Sequence, residues 1–175
     1  MIKEIVVYPD RRLKLVSKEV EIFDSSLHTL LDDMYETMIA KNGVGLASIQ
    51  IGIAQRVLII NVPVKSENED VEIQSFENTL EVINPKFLEQ TGSTTYTEGC
   101  LSVPEVFEEV DRYKYVKIEY QDRFGDIHLI EDDEFLSIAL QHEIEHLNGH
   151  LFIEKFSYIK RKKFEKEWKK RAKKS

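Results

Sequence analysis

The pattern of apolar and polar side chains predicts several strands and two principal helices. Residues 25–41 repeat apolar side chains at helical spacing, which predicts an amphipathic helix. Residues 56–62 are an almost unbroken apolar run, which is typical of a buried strand. Residues 4–23 are predicted to be extended, with Pro9 and a short polar turn, and the polar, acidic residues 65–79 to be a surface loop. The remaining predicted strands cover residues 81–88, 94–101, 114–120 and 126–131.

A second helix is predicted to start near Asp132 or Asp133 and to end at Asn148-Gly149. Either aspartate can cap the first turn, and an Asn-Gly pair is a typical stop signal. The segment has a broad apolar surface, formed by Phe135, Leu136, Ile138, Ala139, Leu140 and Ile144. Because such a helix should be buried, we expect an α+β fold with antiparallel sheets around it.

Composition indicates one globular domain from a reducing compartment. A length of 175 residues with 42% apolar side chains is ordinary for a domain with its own core. Cys100 is the only cysteine and so has no disulfide partner within the chain. The first residues lack the apolar run of a signal peptide, and no apolar run in the sequence is long enough for a transmembrane helix. We therefore expect a cytoplasmic protein without membrane association.

Charge separates an acidic body from a basic tail. Residues 155–175 carry eleven Lys or Arg against two Glu, a net charge of +9, whereas residues 1–154 carry thirteen basic and thirty acidic residues, a net charge of −17. From Ser157 the tail is predicted to be helical, with Tyr158, Phe164 and Trp168 along it. Two interpretations stay open: a terminal helix that packs through its aromatic residues, or a contact with a phosphate backbone that reads no sequence.

The second predicted helix contains Gln141-His142-Glu143-Ile144-Glu145-His146, a pattern typical of metal hydrolases. The two histidines are four residues apart, so a helix places both on one face, where they can bind one ion. Glu143 can then reach a reacting water without being a ligand. The alternative is a surface helix with two unrelated histidines. It does not fit a buried apolar helix, because each unpaired imidazole would cost desolvation energy.

Catalytic metal sites usually have three protein ligands and an open position, so a third ligand is needed. Cys100 lies within Glu98-Gly99-Cys100-Leu101-Ser102, where the glycine permits close approach of another backbone and the flanking glutamate and serine are polar. A lone cysteine is often only a small buried apolar residue. One Cys with two His is nevertheless a known catalytic set, and we predict that Cys100, His142 and His146 bind one divalent ion.

A third segment, Gly43-Val44-Gly45-Leu46-Ala47-Ser48-Ile49-Gln50, follows the first helix. Its two glycines allow a turn that another backbone could approach, but a plain loop between a helix and a strand explains it equally well. It is not a phosphate-binding loop, because no Gly-Lys-Ser/Thr follows.

Together the three segments resemble the peptide deformylase family. The family pattern is a Gly-x-Gly-Leu-Ala-x-x-Gln loop, a Glu-Gly-Cys-Leu-Ser strand and a Gln-His-Glu-x-Asp-His helix, in that order, and this chain matches it over about residues 1 to 155. Three positions depart from the family. Ser48 stands where alanine is frequent, which should matter little. Glu145 stands where the family usually has Asp, and Arg112 is its candidate partner. Phe107 stands where many relatives have an arginine near the substrate, so a polar substrate contact is not expected from it.

The resemblance implies a metal-dependent hydrolase that removes the N-formyl group from the N-terminal formyl-methionine of newly synthesised proteins and releases formate. Residues 1–155 would form the catalytic domain, and residues 156–175 a basic C-terminal helix or tail. Glu143 would take the proton of the attacking water and pass it to the leaving amine. The side chain of Gln50 and the backbone N–H of Leu101 would stabilise the oxyanion.

The resemblance also implies how substrate, metal and partners are bound. The methionine side chain would enter an apolar pocket near Val44 and Ile138, and backbone of Val44, Gly45 and Gly99 would pair with the extended peptide. The family's metal is usually Fe²⁺, although a thiolate with two imidazoles also suits Zn²⁺, and Ni²⁺ or Co²⁺ can occupy such a site. We expect a monomer that acts on nascent N-formyl-methionyl peptides and contacts the ribosome near its exit tunnel through the basic tail.

Two other functions share part of the pattern. A zinc endopeptidase of the extended type needs a histidine at position 152, where this chain has Phe152, and His150 is displaced by two residues. The type with a downstream glutamate would have to use Glu165 or Glu167, both in the basic tail. The second alternative is a non-catalytic ribosome-binding module with a structural metal. It is less favoured, because every position needed for chemistry is filled.

Overall fold

The structure of the protein is a computed structural model, which describes residues 1–68 and 70–174. The helices within these residues are α1 Ser25–Ala40, α2 Phe135–Leu147 and α3 Tyr158–Lys174. The strands are β1 Gly45–Ala47, β2 Val57–Ile60, β3 Val64–Lys65, β4 Glu72–Ile73, β5 Leu80–Thr91, β6 Thr94–Cys100, β7 Val103–Arg112, β8 Tyr115–Gln121 and β9 Ile127–Asp132.

One antiparallel sheet with the strand order β1-β2-β5-β8-β9 forms the centre of the fold. β2 is buried on both faces, which explains its unbroken apolar sequence. Leu58 and Ile60 pack with α2 on one side, and Val57 and Ile59 pack with α1 on the other. The remaining strands form two antiparallel pairs, β3 with β4 and β6 with β7. The expected α+β fold, with antiparallel sheets around a central helix, is confirmed.

Local hydrogen bonds explain where α2 begins and ends. Asp132, one of the two predicted caps, accepts hydrogen bonds at 2.9 Å from the backbone N–H groups of Glu134 and Ser137. The helix ends at Leu147, and Gly149 follows with a φ of +80°, a conformation that favours glycine. These contacts fix the two ends of α2.

The sequence-predicted elements agree with the structure except in a few places. Strand β7 was not predicted, and the described part of residues 65–79 contains the short strand β4 as well as loop, with residue 69 outside the described residues. Residues 43–50 are not a plain loop, because they contain β1 and a 3₁₀ turn at Ser48–Ile51. Within residues 4–23, the predicted short turn is present as a 3₁₀ turn at Arg11–Lys14.

The basic tail forms α3, which lies against the body through its aromatic side. Phe164 is only 5% exposed and belongs to an apolar cluster that includes Val103 and Phe152. Its ring centroid is 5.5 Å from that of Tyr8, and Trp168 makes an edge contact with Tyr8 at 5.4 Å. The aromatic packing expected of one interpretation is therefore present. In the described part of the chain, no helix has both the length and the apolar character needed to span a bilayer.

Candidate metal centre and substrate cleft

Cys100, at the end of β6, lies beside His142 and His146 on the buried face of α2. Their ligand atoms lie within 4.8 Å of one another, and Sγ of Cys100 is 3.4 Å from Nε2 of His146. Burial lowers the pKa of His146 well below its ordinary value, so its ring stays neutral and offers a lone pair. One thiolate and two imidazoles on one small site are a donor set that fits a divalent transition metal.

Glu98 orients one of these histidines. Its buried carboxylate lies 2.8 Å from Nδ1 of His142 and accepts two hydrogen bonds from Arg112, at 2.7 and 2.8 Å. Burial alone would raise the pKa of Glu98, but the hydrogen bonds from Arg112 and His142 lower it, so the group is an ionised acceptor. Nδ1 of His142 must then carry the proton that is donated to Glu98, and Nε2 is the ring nitrogen that could bind a metal. Burial lowers the pKa of His142, but its contacts with Cys100, Glu98 and Glu143 raise it overall, so a metal at Nε2 would displace a proton.

Glu143 lies next to the three potential ligands and does not belong to their cluster. Its Oε1 is 3.8 Å from Nε2 of His142, and its Oε2 is buried without a hydrogen-bond partner among the described residues. Burial raises the pKa of Glu143 to about 7. A Cβ atom on Gly45 would lie only 2.9 Å from Oε1, so a glycine is needed for β1 to approach this carboxylate.

Gln50 is held so that its amide points toward Cys100. Its Oε1 accepts a hydrogen bond from the backbone N–H of Ala47 at 2.9 Å. Its Nε2 donates to Oγ of Ser102 at 3.0 Å and to Sγ of Cys100 at 3.5 Å. Gln50 is 1% exposed, so this amide is a fixed donor beside the candidate metal centre.

A cleft of about 540 Å³ opens beside the candidate metal centre. Its lining includes Gln50, Leu101 and Glu143 and the four residues predicted to contact substrate, Val44, Gly45, Gly99 and Ile138. Sequence reasoning missed several lining residues. Tyr96 and Phe135, whose ring centroids are 5.5 Å apart, come from different elements, and only a prediction of the β6–α2 contact could have paired them.

Two of the departures from the family pattern, Glu145 and Phe107, lie at or near the site. Glu145 accepts a hydrogen bond from Nη1 of Arg112 at 2.6 Å, which is the predicted partner, and also forms an ion pair with Lys155 at 3.1 Å. Phe107 is 71% exposed and lines the cleft. Its ring lies over Gly99, where an added Cβ atom would be 2.6 Å from the ring.

This geometry does not support the two alternative functions, a zinc endopeptidase or a module with a structural metal. The cluster of potential metal ligands among residues 1–68 and 70–174 contains three residues, which differs from the four of a closed structural site. Phe152 is buried and packs on the ring of His142, with centroids 5.7 Å apart. Glu165 is hydrogen-bonded to Arg161 within α3, away from the candidate ligands.

Comparison with known proteins gives the same family from sequence and from structure. The family model described as polypeptide deformylase matches residues 2–162. The chain is 55% identical over 171 residues to a peptide deformylase of Helicobacter pylori strain P12, covering 98% of this chain and 95% of that protein.

Solved structures agree. A peptide deformylase from Legionella pneumophila has a TM-score of 0.86 and 36% identity, covering 99% of this chain and 96% of the other. A deformylase from Acinetobacter baumannii with bound Met-Ala-Ser has a TM-score of 0.80 and 31% identity, covering 89% of this chain and 99% of the other. These proteins share both fold and length with the chain.

Proposed function

The chain belongs to the peptide deformylase family, hydrolases that remove a formyl group, and we propose that it acts on the N-terminal formyl-methionine of newly synthesised proteins. One observation carries the proposal for the site. Cys100, His142 and His146 converge at a cleft beside Glu143, whose Oε2 has no hydrogen-bond partner among the described residues. That arrangement combines a place for a metal with a group that can accept a proton.

We propose that Cys100, His142 and His146 hold the metal on which this family depends. A divalent ion bound there would polarise the formyl carbonyl. It would also lower the pKa of water, so that hydroxide would be available at neutral pH to attack the carbonyl carbon. Fe²⁺ is the proposed native ion, with Zn²⁺, Ni²⁺ and Co²⁺ as ions that the same three ligands accept. Glu98 supports the site by holding His142 in the tautomer that leaves Nε2 available.

Glu143 is the proposed general base and acid. It takes a proton from the attacking water and later delivers it to the nitrogen of the leaving amine. A carboxyl group in a buried site, with a pKa near 7, can do both at neutral pH. Its second oxygen has no partner among the described residues, which leaves it available to water or substrate.

Gln50 and Leu101 are the proposed oxyanion donors. The Gln50 amide is held through its oxygen by Ala47, so its Nε2 donor cannot turn away from Cys100. Leu101 directly follows Cys100, so its backbone N–H lies next to the proposed ligand. Donors that are already in place lower the energy of a negative oxygen without reorganisation.

The cleft is proposed to bind an extended peptide whose first residue is methionine. β1 is an edge strand of the described sheet, so within the described residues Gly45 and the adjoining Val44 have a strand neighbour only on the β2 side, and both residues line the cleft. A peptide could add there as a strand, with Gly99 on the opposite wall. Val44 and Ile138 provide apolar surface for the methionine side chain.

The tail is proposed to serve a different purpose from the catalytic part. We propose a catalytic unit of residues 1–155 and a basic element of residues 156–175 that contacts ribosomal RNA near the exit tunnel of a cytoplasmic ribosome. The support is the net charge of +9 in residues 155–175, carried largely by exposed lysines on the side of α3 away from Phe164. The proposed enzyme works as a monomer.

The function is tested by anaerobic purification, metal analysis and an assay of formate release. We expect about one divalent ion per chain and rapid release of formate from formyl-Met-Ala-Ser. The control peptide, acetyl-Met-Ala-Ser, has the same backbone and one additional methyl group and should be a poor substrate. A protein with stoichiometric metal that releases no formate, or that cleaves internal peptide bonds instead, would contradict the proposal.

A further inference from the structure

Strands β6 and β7 lose their regular pairing beside the cleft. Glu98 pairs with Glu108 and Cys100 pairs with Val103, so a single residue of β6, Gly99, faces residues 104–107 of β7. This bulge, here called the rim segment, leaves the ladder and forms part of the cleft wall through Pro104, Glu105 and Phe107.

The rim segment is held by the C-terminal helix. Nη1 of Arg171 donates to the carbonyl oxygen of Pro104 at 2.8 Å, and Nη2 donates to that of Glu105 at 3.2 Å. Glu105 has a φ of +62°, which is unusual for a residue with a side chain and requires support from its surroundings. The planar guanidinium fork reaches two successive carbonyls, which a lysine cannot match.

Arg171 is itself fixed to the body. Its guanidinium lies over the ring of Trp168, 5.6 Å from the centroid, and Trp168 packs against Tyr8. The backbone N–H of Tyr8 donates to the carbonyl oxygen of Ser102 at 2.8 Å, close to the start of the rim segment. A continuous set of contacts therefore connects α3 to Ser102 and to Pro104, the residues before and after Val103 at the start of β7.

We infer that Arg171 is a positioning residue for the substrate cleft. It is not among the residues that line the cleft, and it acts through the carbonyls of Pro104 and Glu105, which do. Its effect should concern how the peptide is bound and not how the formyl group is hydrolysed. Within the described residues, its hydrogen bonds go to Pro104 and Glu105 and not to a candidate ligand or to Glu143. The inference rests on the proposed function, because it concerns the substrate of that site.

Arg171→Ala should raise KM for formyl-Met-Ala-Ser by about fivefold to tenfold, as expected for the loss of one or two hydrogen bonds that fix a wall of the cleft. The kcat should stay within about twofold of wild type, because the reacting groups are untouched. Arg171→Lys, which keeps the charge and can reach one carbonyl, should recover part of the affinity. Metal content should be the same in all variants.

The matched control is Lys170→Ala, which removes one positive charge from the neighbouring, exposed position of the same helix. It should leave both kinetic constants unchanged, which separates positioning from general electrostatics. Hydrogen–deuterium exchange supplies a measurement that does not depend on turnover. Backbone amides within residues 104–107 should exchange several-fold faster in Arg171→Ala than in either wild type or Lys170→Ala, while those of β8 stay protected.

Equal KM values and equal exchange in the two alanine variants would overturn the role of Arg171. A fall in kcat with unchanged KM would overturn it as well, because the effect would then lie in the chemistry. Binding of the product Met-Ala-Ser, measured by calorimetry, should weaken in Arg171→Ala by the same factor as KM rises. Wild-type protein that binds this peptide but releases no formate would contradict the proposed function and leave the exchange result to decide on Arg171.

Discussion

Glu98 and His142, 44 positions apart in the chain, meet through a 2.8 Å contact between a carboxylate oxygen and Nδ1. The carboxylate is also held by the buried guanidinium of Arg112, whose side chain is 1% exposed. The orientation of a candidate metal ligand thus depends on a buried ion pair between the two strands of one hairpin. Such an arrangement fixes the tautomer and raises the basicity of a ligand.

Glu98→Gln should weaken metal binding by about 10-fold to 100-fold while the fold is retained. The substitution keeps the shape of the side chain but removes the charge that fixes the proton on Nδ1 of His142. The measurement is a competition titration of the metal against a chelator. Glu109→Gln, an exposed position on the same hairpin, is the control. Equal metal affinities in the two variants would show that Glu98 does not orient His142.

Cys100→Ser should lose the metal and most of the activity. A serine hydroxyl is not ionised at neutral pH, so the site would lose its anionic ligand. Metal content per chain and formate release are measured after the same anaerobic purification as for wild type. Ser102→Ala, two positions further along, changes a buried hydroxyl without removing a proposed ligand and controls for local packing. Full metal content with full turnover in Cys100→Ser would exclude the thiolate as a ligand.

Glu143→Gln should keep the metal and lose most of the formate release. The amide has the shape of the carboxyl group but cannot accept the proton, and general acid–base groups contribute about 10²–10⁴-fold to rates. Metal analysis on the same sample separates this effect from loss of the ion. Near-normal turnover in a metal-loaded variant would show that another group transfers the proton.

The helix and the motif were predictable because their signals are local. The apolar side chains of α2, a capping aspartate and the Asn-Gly stop lie within one short segment, and the two histidines have helical spacing. Cys100 was joined to them because it is the only cysteine and a third ligand was needed, and the family pattern supported that assignment; no local signal places β6 beside α2. The apolar run of β2 was equally clear, because it is buried on both faces.

Long-range contacts explain what the sequence did not show. Strand β7 has acidic residues and the exposed Phe107 where a regular strand would alternate, because its bulge forms the cleft wall. The pairing of Glu98 with Arg112 depends on the register of two strands, and Arg171 meets the rim segment across more than sixty residues of chain. Contacts of this kind follow from tertiary packing and have no periodic signal.

Gln50→Ala should lower kcat more than it raises KM. A fixed donor that meets charge developing in the transition state contributes roughly 3 kcal/mol. Because Nε2 of Gln50 also lies 3.5 Å from Sγ of Cys100, metal content must be measured alongside the kinetics. Ser102→Ala removes the second acceptor for Nε2 of Gln50 and should have a smaller effect on kcat. A change confined to KM would mean that Gln50 binds the ground state of the substrate.

Neutralising the exposed face of α3 should weaken ribosome binding without changing catalysis. Removing residues 157–175 altogether is a poor test, because Phe164 is 5% exposed and belongs to the apolar core beneath the helix. We expect that truncation to lower the melting temperature, and its effect on binding would be confounded by unfolding. Substitution of exposed lysines keeps Phe164, Trp168 and Arg171 in place. The variant changes Lys166, Lys169, Lys170 and Lys173 to Gln.

The expected result follows from the phosphate density of ribosomal RNA, since each lost contact reduces both the affinity and its dependence on salt. Co-sedimentation with ribosomes at low and raised salt should show weaker binding and a shallower salt dependence for the variant.

The matched control removes the same number of charges from the body. It changes Lys14, Lys18, Lys65 and Lys86 to Gln, all of which are exposed. Equal losses in both variants would indicate a net-charge effect, and undiminished binding in the α3 variant would exclude docking through this face. Turnover of formyl-Met-Ala-Ser should be the same in both, because neither set touches the cleft or the contacts of Arg171.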